Sequence, residues 1–221
     1  MARPRTRRGV NHHPGRSVID PVPDRNPLYP VFLKLHALRT LIVGAGEVGY
    51  EKLSFILKSS PGAVITVVAP WVNPEIEALL AGMPEHRVTV ERRPFRAGDV
   101  EGHGLAVAAT NLPDLNREVR EACKAAGVLV NVADTPALCD FYLGSIVTRG
   151  QLKVAISTNG TSPTLAKRMR QVLEEVLPED VDGLLANLKT IRDRLKGSFD
   201  DKVRALNELT ASIVEEGERR E

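Results

Sequence analysis

The sequence predicts an α/β fold in which a doubly wound parallel sheet leads into a small α+β segment and then a helical C-terminus. Three observations carry this reading. Short apolar runs alternate with amphipathic helical stretches from Arg39 to Val132, and this rhythm gives way to a hairpin pattern after Tyr142. The composition is 43% apolar but only 4% aromatic, rich in the small and branched aliphatics that pack helix layers onto a sheet. A chain of 221 residues is long enough for one good core and a second smaller one.

In chain order, Arg39 to Val43 reads as the first strand, stopping at Gly44. Glu47 to Leu57 follows as a helix closed by Ser59-Ser60-Pro61-Gly62, and Val64 to Ala69 is the second strand. Asn73 caps a short helix to Ala81, with Pro74 at its first position, and Val88 to Glu91 is a third strand. Leu105 to Ala109 is a buried strand reaching Thr110-Asn111. The helix after it runs from about Leu112 to Ala126, with Leu115, Val119, Ala122 and Ala126 at helical spacing and Gly127 as its stop. Val128 to Val132 is the next strand. Strands and helices alternating at this pitch imply right-handed crossovers and a parallel sheet.

Ser145 to Thr148 and Leu152 to Ser157, joined at Arg149-Gly150, form the hairpin. Thr161-Ser162-Pro163 opens a helix to about Leu177, with Leu165, Met169, Val172, Leu173 and Val176 on one face, and Pro178 closes it. Leu184, Leu188, Ile191 and Leu195, then Val203, Leu206 and Ile213, mark a helical pair. The expected division is a basic, disordered tail over 1–26, a nucleotide-binding unit over 27–141, a central segment over 142–177 and a helical unit over 178–221.

Residues 1–26 hold six arginines against two aspartates, an excess of +4 that leaves about −2 on the rest of a chain whose total is +2. With no aromatics interleaved, this tail does not read as a nucleic-acid site. It lacks a secretory apolar core, Pro4, Pro14 and Gly15 oppose a transit helix, and no apolar run is long enough to span a membrane, so a cytoplasmic protein is expected. Cys123 and Cys139 are too few for a disulfide framework and read as ordinary buried thiols. His36, His86 and His103 lack metal-ligand spacing, so no prebuilt metal site is expected.

The most informative local pattern is Gly44-Ala45-Gly46-Glu47-Val48-Gly49, a GxGxxG that follows a strand, opens a helix and lies in a βαβ unit. In a Rossmann-type turn the first glycine permits the bend, the second lets backbone approach a pyrophosphate, and the third lets helix and strand touch. The end of the second strand, Val68-Ala69-Pro70-Trp71, offers no acid for a ribose and no arginine for a 2′-phosphate, so the motif does not decide between NAD and NADP. Thr110-Asn111 lies where α/β sheets bind ligands, and Asn111 fits a helix N-cap equally well. At the end of the following strand stands Asn131-Val132-Ala133-Asp134-Thr135-Pro136. There Asp134 is the candidate for proton chemistry or transient metal contact, and also a good turn former.

Together, PVFLKL, LIVGAGEVG-YEKL, VVAP, AATN-LPDLN, NVADTPALCDFYLGSIVTRGQLKVAISTNGTSP and LAKRMRQVLEEVLP resemble the precorrin-2 dehydrogenase/sirohydrochlorin ferrochelatase family of siroheme biosynthesis over residues 27–195. The resemblance implies a homodimer with a central dimerisation segment, NAD⁺-dependent oxidation of precorrin-2 to sirohydrochlorin and, in some members, insertion of Fe²⁺ as a second substrate. It places dinucleotide contacts on Gly44, Gly46, Glu47, Val48, Gly49, Pro70, Trp71, Thr110 and Asn111, and the essential acid on Asp134. The substrate bears many carboxylates, so Asn131, Ser157, Asn159, Thr161 and Ser162 are expected as donors, and Lys167, with Arg168 beside it, as charge. The length leaves no room for a fused methyltransferase, and methylation is expected of another protein. Two alternatives stay beside this reading: a dehydrogenase whose product is chelated elsewhere, and a non-catalytic NAD(H)-sensing module.

Overall fold

The computed structural model describes residues 26–218, with side chains to residue 211; the arginine-rich segment over 1–25 and the side chain of Ile213 lie outside what it describes. Five parallel strands form the central sheet: β1 (Thr40–Ala45), β2 (Val64–Val72), β3 (Arg87–Glu91), β4 (Leu105–Ala108) and β5 (Leu129–Val132), in the order β3-β2-β1-β4-β5. Helices α1 (Glu47–Ser59), α2 (Pro74–Ala81) and α3 (Pro113–Ala126) make the crossovers. The sheet is covered on both sides, so its strands are apolar at successive rather than alternate positions. Ile42, Ile65 and Val67 pack with Leu53, Ile56 and Leu57 of α1 on one face; Leu41, Val43 and Val130 pack with Val119 and Cys123 of α3 on the other.

The chain winds outward from β1 to β3, then returns to β4 on the opposite side of β1. The carboxyl ends of β1 and β4 therefore bound the switch point where open α/β sheets hold ligands.

Two local expectations are corrected. The second strand does not stop at Ala69 but runs through Pro70 to Val72: its pairing to β3 ends at Val68, so Pro70 has no ladder partner on that side to disappoint. A register shift between Val43 and Ala45 brings Ala45 opposite Val72. Asn111 is not the N-cap of α3; that position is Leu112, without a side-chain cap, and Pro113 supplies the first turn. Asn73 does cap α2, accepting from the Glu75 amide at 3.0 Å.

Beyond the sheet, β6 (Ser145–Arg149) and β7 (Leu152–Ile156) form an antiparallel hairpin on which α4 (Pro163–Val176) packs, followed by α5 (Val181–Arg194) and α6 (Phe199–Glu218). Lys153 of β7 donates to the Ser59 carbonyl at the end of α1, where an ammonium also complements the helix dipole. Asp182 of α5 accepts from the Gln151 amide at the hairpin turn, 2.7 Å away. Among the described residues no helix is long and apolar enough to cross a membrane.

Candidate functional site

At the switch point the glycine turn is fixed by three different constraints. Gly44 has φ +102, and a Cβ there would lie 2.5 Å from the Ala109 carbonyl oxygen, so the turn presses directly on the end of β4. A Cβ on Gly49 would lie 2.2 Å from the Gly44 oxygen. Gly46 is the opposite case: its Cβ would meet nothing within 4 Å, because it faces the open crevice.

Gly46 is also the N-cap of α1 and offers no side-chain acceptor, whereas Asn73, Ser162 and Asp180 cap α2, α4 and α5. The first amides of α1, from Glu47, Val48 and Gly49, thus reach the crevice without a side chain to satisfy them, at the positive end of the helix dipole. A pyrophosphate fits this arrangement: the donors and the empty space coincide.

Pro70 and Trp71, near the end of β2 where Val72 pairs with Ala45 of the turn, are exposed, with 62% of Trp71 accessible. On the other side Thr110 is clamped by Asn116, a buried residue of α3. The Thr110 hydroxyl donates to Asn116 Oδ1 at 2.7 Å, and Asn116 Nδ2 donates back to the Thr110 carbonyl at 3.0 Å. Asn111, next in the chain, is exposed.

A second depression adjoins the first. Ala109 donates its amide to Val43 of β1 at 2.8 Å, and the Ala133 amide donates to Ala108 at 2.9 Å, so the end of β4 is common to both. This cleft, about 310 Å³, lies between the turn after β5 and the hairpin with the start of α4. Asp134 lines it in the left-handed conformation, φ +56, a region in which aspartate is one of the few tolerated side chains. Among the described residues its carboxylate accepts no hydrogen bond, and the residue is exposed.

The turn that presents Asp134 is anchored below. The Cys139 thiol donates to the Val132 carbonyl at 3.2 Å while its sulfur faces the Val132 amide, and burial pushes this thiol above the usual range. Asp140 accepts from the Val130 amide at 3.0 Å and pairs with Arg120 at 3.0 Å. Asn131 Nδ2 donates to the Phe141 carbonyl at 2.8 Å.

Of the residues expected to meet substrate, Asn131, Asp134 and Ser157 line this cleft. Asn159, at φ +53, Thr161, Ser162 and Lys167 do not. Ser162 instead caps α4, accepting from the Leu165 amide at 3.2 Å, and Lys167 points to solvent. Lys52, Tyr142 and Thr158 line the cleft without having been singled out by sequence. Lys52 stands in the YEKL stretch of the motif region, and nothing in its spacing singles it out. Among the described residues no three His, Cys, Asp or Glu side chains gather as a metal site.

The fold, the uncapped helix and the glycine turn define a nucleotide-binding α/β protein, and residues 31–145 match the family described as putative NAD(P)-binding. Residues 149–175 match the family described as sirohaem biosynthesis protein, central. The structure resembles that of SirC, a precorrin-2 dehydrogenase, at TM-score 0.65 and 30% identity, covering 82% of this chain and 89% of that one. The chain belongs to the precorrin-2 dehydrogenase family. It is 37% identical over 172 residues to the siroheme synthase of Pseudoalteromonas atlantica and 38% identical over 175 residues to that of Thioalkalivibrio sulfidiphilus, 78% of this chain in each case. It spans only 36% and 34% of those proteins' lengths.

Proposed function

We propose that this protein oxidises precorrin-2 to sirohydrochlorin with NAD⁺, binding the dinucleotide across the β1–β4 switch point and the tetrapyrrole in the adjoining cleft. The observation that carries the reading is the adjacency of an uncapped glycine-turn helix and an acid-bearing cleft across the single strand end at Ala108-Ala109. The amides of Gly46, Glu47, Val48 and Gly49 hold the pyrophosphate, Pro70 and Trp71 the adenosine, and Thr110 and Asn111 the opposite wall. The bound dinucleotide supplies the hydride acceptor.

Asp134 does the chain's own part of the chemistry. A two-electron oxidation of a carbon–carbon or carbon–nitrogen unit releases a proton with the hydride, and the Asp134 carboxylate, which no donor among the described residues occupies, takes that proton at the cleft wall. The same carboxylate is available to receive pyrrole N–H protons when Fe²⁺ enters sirohydrochlorin as substrate, and this favours chelation as a second activity of the site. Ser157, Thr158 and Tyr142 contribute hydroxyl donors to the substrate.

The enzyme acts in the cytoplasm as a homodimer. Leu165, Met169, Val172 and Val176 form an apolar stripe along α4, each more than 40% exposed, and a second copy of the central segment covers it. Anaerobic incubation with precorrin-2 and either NAD⁺ or NADP⁺, followed by absorbance, tests the reaction. Sirohydrochlorin formation with NAD⁺ supports the reading; binding of NAD⁺ with no turnover of precorrin-2 refutes it in favour of a sensing module. Adding Co²⁺ to sirohydrochlorin tests chelation separately.

A further inference from the structure

We infer that Lys52 is the substrate-positioning cation of the cleft, taking a peripheral carboxylate of the tetrapyrrole and thereby setting which ring edge faces Asp134. The inference rests on the substrate class proposed above and adds the element that fixes the substrate's orientation.

Lys52 belongs to α1, the helix whose first turn faces the nucleotide crevice, yet its side chain lines the neighbouring cleft together with Asp134, Tyr142 and Ser157. The buried face of α1 is Gly49, Leu53, Ile56 and Leu57. Lys52 sits at the margin of that face and lines the cleft, with only 23% of its side chain accessible, so its stem is packed while its ammonium is free to swing between Glu51 and the cleft. It is the one cationic side chain among the residues lining the cleft, and Asp134 is the one acidic side chain.

The other cations nearby are engaged or misplaced. Lys153 is spent on the Ser59 carbonyl, Arg149 donates to the Glu174 carbonyl, and Lys167 and Arg168 are exposed on α4 away from the cleft. Among the described residues, a polycarboxylate entering this cleft therefore meets a single lining cation, Lys52.

The present partner of Lys52 is Glu51, at 2.8 Å and 69% exposed. Adjacent helix residues project about 100° apart and do not face each other. The ammonium must turn back toward solvent to reach Glu51, and an exposed pair of this kind contributes little. A ligand carboxylate held in the cleft offers the same charge in a less hydrated place, and the lysine keeps two further donors for it. Lys52 and Asp134 then act as a polar couple: the cation attracts the carboxylated rim, the anion repels it, and the ring is left with one favoured orientation.

The test uses the full chain with sirohydrochlorin and NAD⁺ as separate titrants, followed by steady-state turnover of precorrin-2. Lys52→Met should weaken sirohydrochlorin binding by about tenfold to a hundredfold, the range for a lost hydrogen bond to a charged group. KM for precorrin-2 should rise in parallel, with a smaller change in kcat and an unchanged Kd for NAD⁺. Lys52→Arg should recover most of the affinity, which also controls for folding.

Unchanged sirohydrochlorin binding in Lys52→Met overturns the inference, as does a loss that falls on NAD⁺ rather than on the tetrapyrrole. If the unsubstituted protein itself fails to bind sirohydrochlorin while binding NAD⁺, the proposed function fails and takes this inference with it, an outcome read before any variant is made.

Discussion

Replacing Gly46 or Gly49 by alanine adds the same methyl group three residues apart in one turn, and the structure assigns the two opposite consequences. At position 49 the methyl carbon starts 2.2 Å from the Gly44 oxygen, and contacts under 3.0 Å are essentially not seen, so α1 and the turn must part by at least 0.8 Å. Both partners are backbone and neither can rotate away. Overpacking of this kind costs about 1–3 kcal/mol, and the upper end applies; the better helix propensity of alanine returns about 1 kcal/mol. A net loss of about 2 kcal/mol lowers Tm by roughly 4–8 °C for a chain of this size.

At position 46 the added carbon meets no protein atom and the backbone, φ −80 and ψ −159, already suits alanine. Stability should change by under about 1 kcal/mol, the scale of a weaker N-cap. Dinucleotide affinity should nonetheless fall about tenfold or more, because the methyl would take the place proposed for the pyrophosphate. Thermal melts and NAD⁺ titration calorimetry on both variants separate the effects. Wild-type NAD⁺ affinity in Gly46→Ala would show that the pyrophosphate does not sit at the α1 N-terminus.

Asp134→Asn should abolish or strongly impair precorrin-2 oxidation while leaving NAD⁺ affinity and Tm near their starting values, since asparagine tolerates the left-handed backbone; full activity would remove Asp134 from the chemistry. Asn116→Ala leaves the Thr110 hydroxyl and carbonyl without their clamp and should cost about 1–3 kcal/mol in chemical denaturation, with weaker NAD⁺ binding as the crevice wall loosens. His103 is held below its usual pKa by burial first and by Arg39 second, with Asp99 and Glu101 opposing, and its Nε2 lies 3.2 Å from Thr66 Oγ1. The folded state resists protonation more than the unfolded one, so this contribution to stability is absent above about pH 6.5 and becomes a penalty as pH falls below it. Melts at pH 7.5 and 5.5 should show a drop that His103→Gln reduces; an equal drop in the variant refutes the assignment.

The parallel sheet was legible because each βαβ unit leaves a local trace: an apolar run, a helical period and a turn residue in sequence. Gly44 and Gly49 were legible for the same reason, since a backbone that admits no Cβ leaves only glycine. The extension of β2 through Pro70 was not, because proline reads as a breaker until the neighbouring strand is known to have ended at Val68. Asn116 is one polar residue among several on an amphipathic helix, and nothing in the period of α3 says that its amide turns back six residues to hold Thr110. Lys52 was hidden in the same way. Periodicity identifies the face of α1 that meets the sheet, but the cleft on its flank is closed by residues 142–158, about ninety positions later, and no local pattern encodes that meeting. Lys167, by contrast, looked suitable in a string of polar residues, and the packing of α4 turned it outward.

The left-handed backbone at Asp134 has an evolutionary consequence. The replacements that fit this conformation best are glycine and asparagine, and both delete the carboxylate, whereas glutamate keeps the charge but fits the backbone less well. With the role proposed for Asp134, drift at this position therefore runs toward a protein that is at least as stable and catalytically silent. Stability alone would not hold aspartate here, so a descendant that kept the fold but gave up the reaction should show the change first at residue 134.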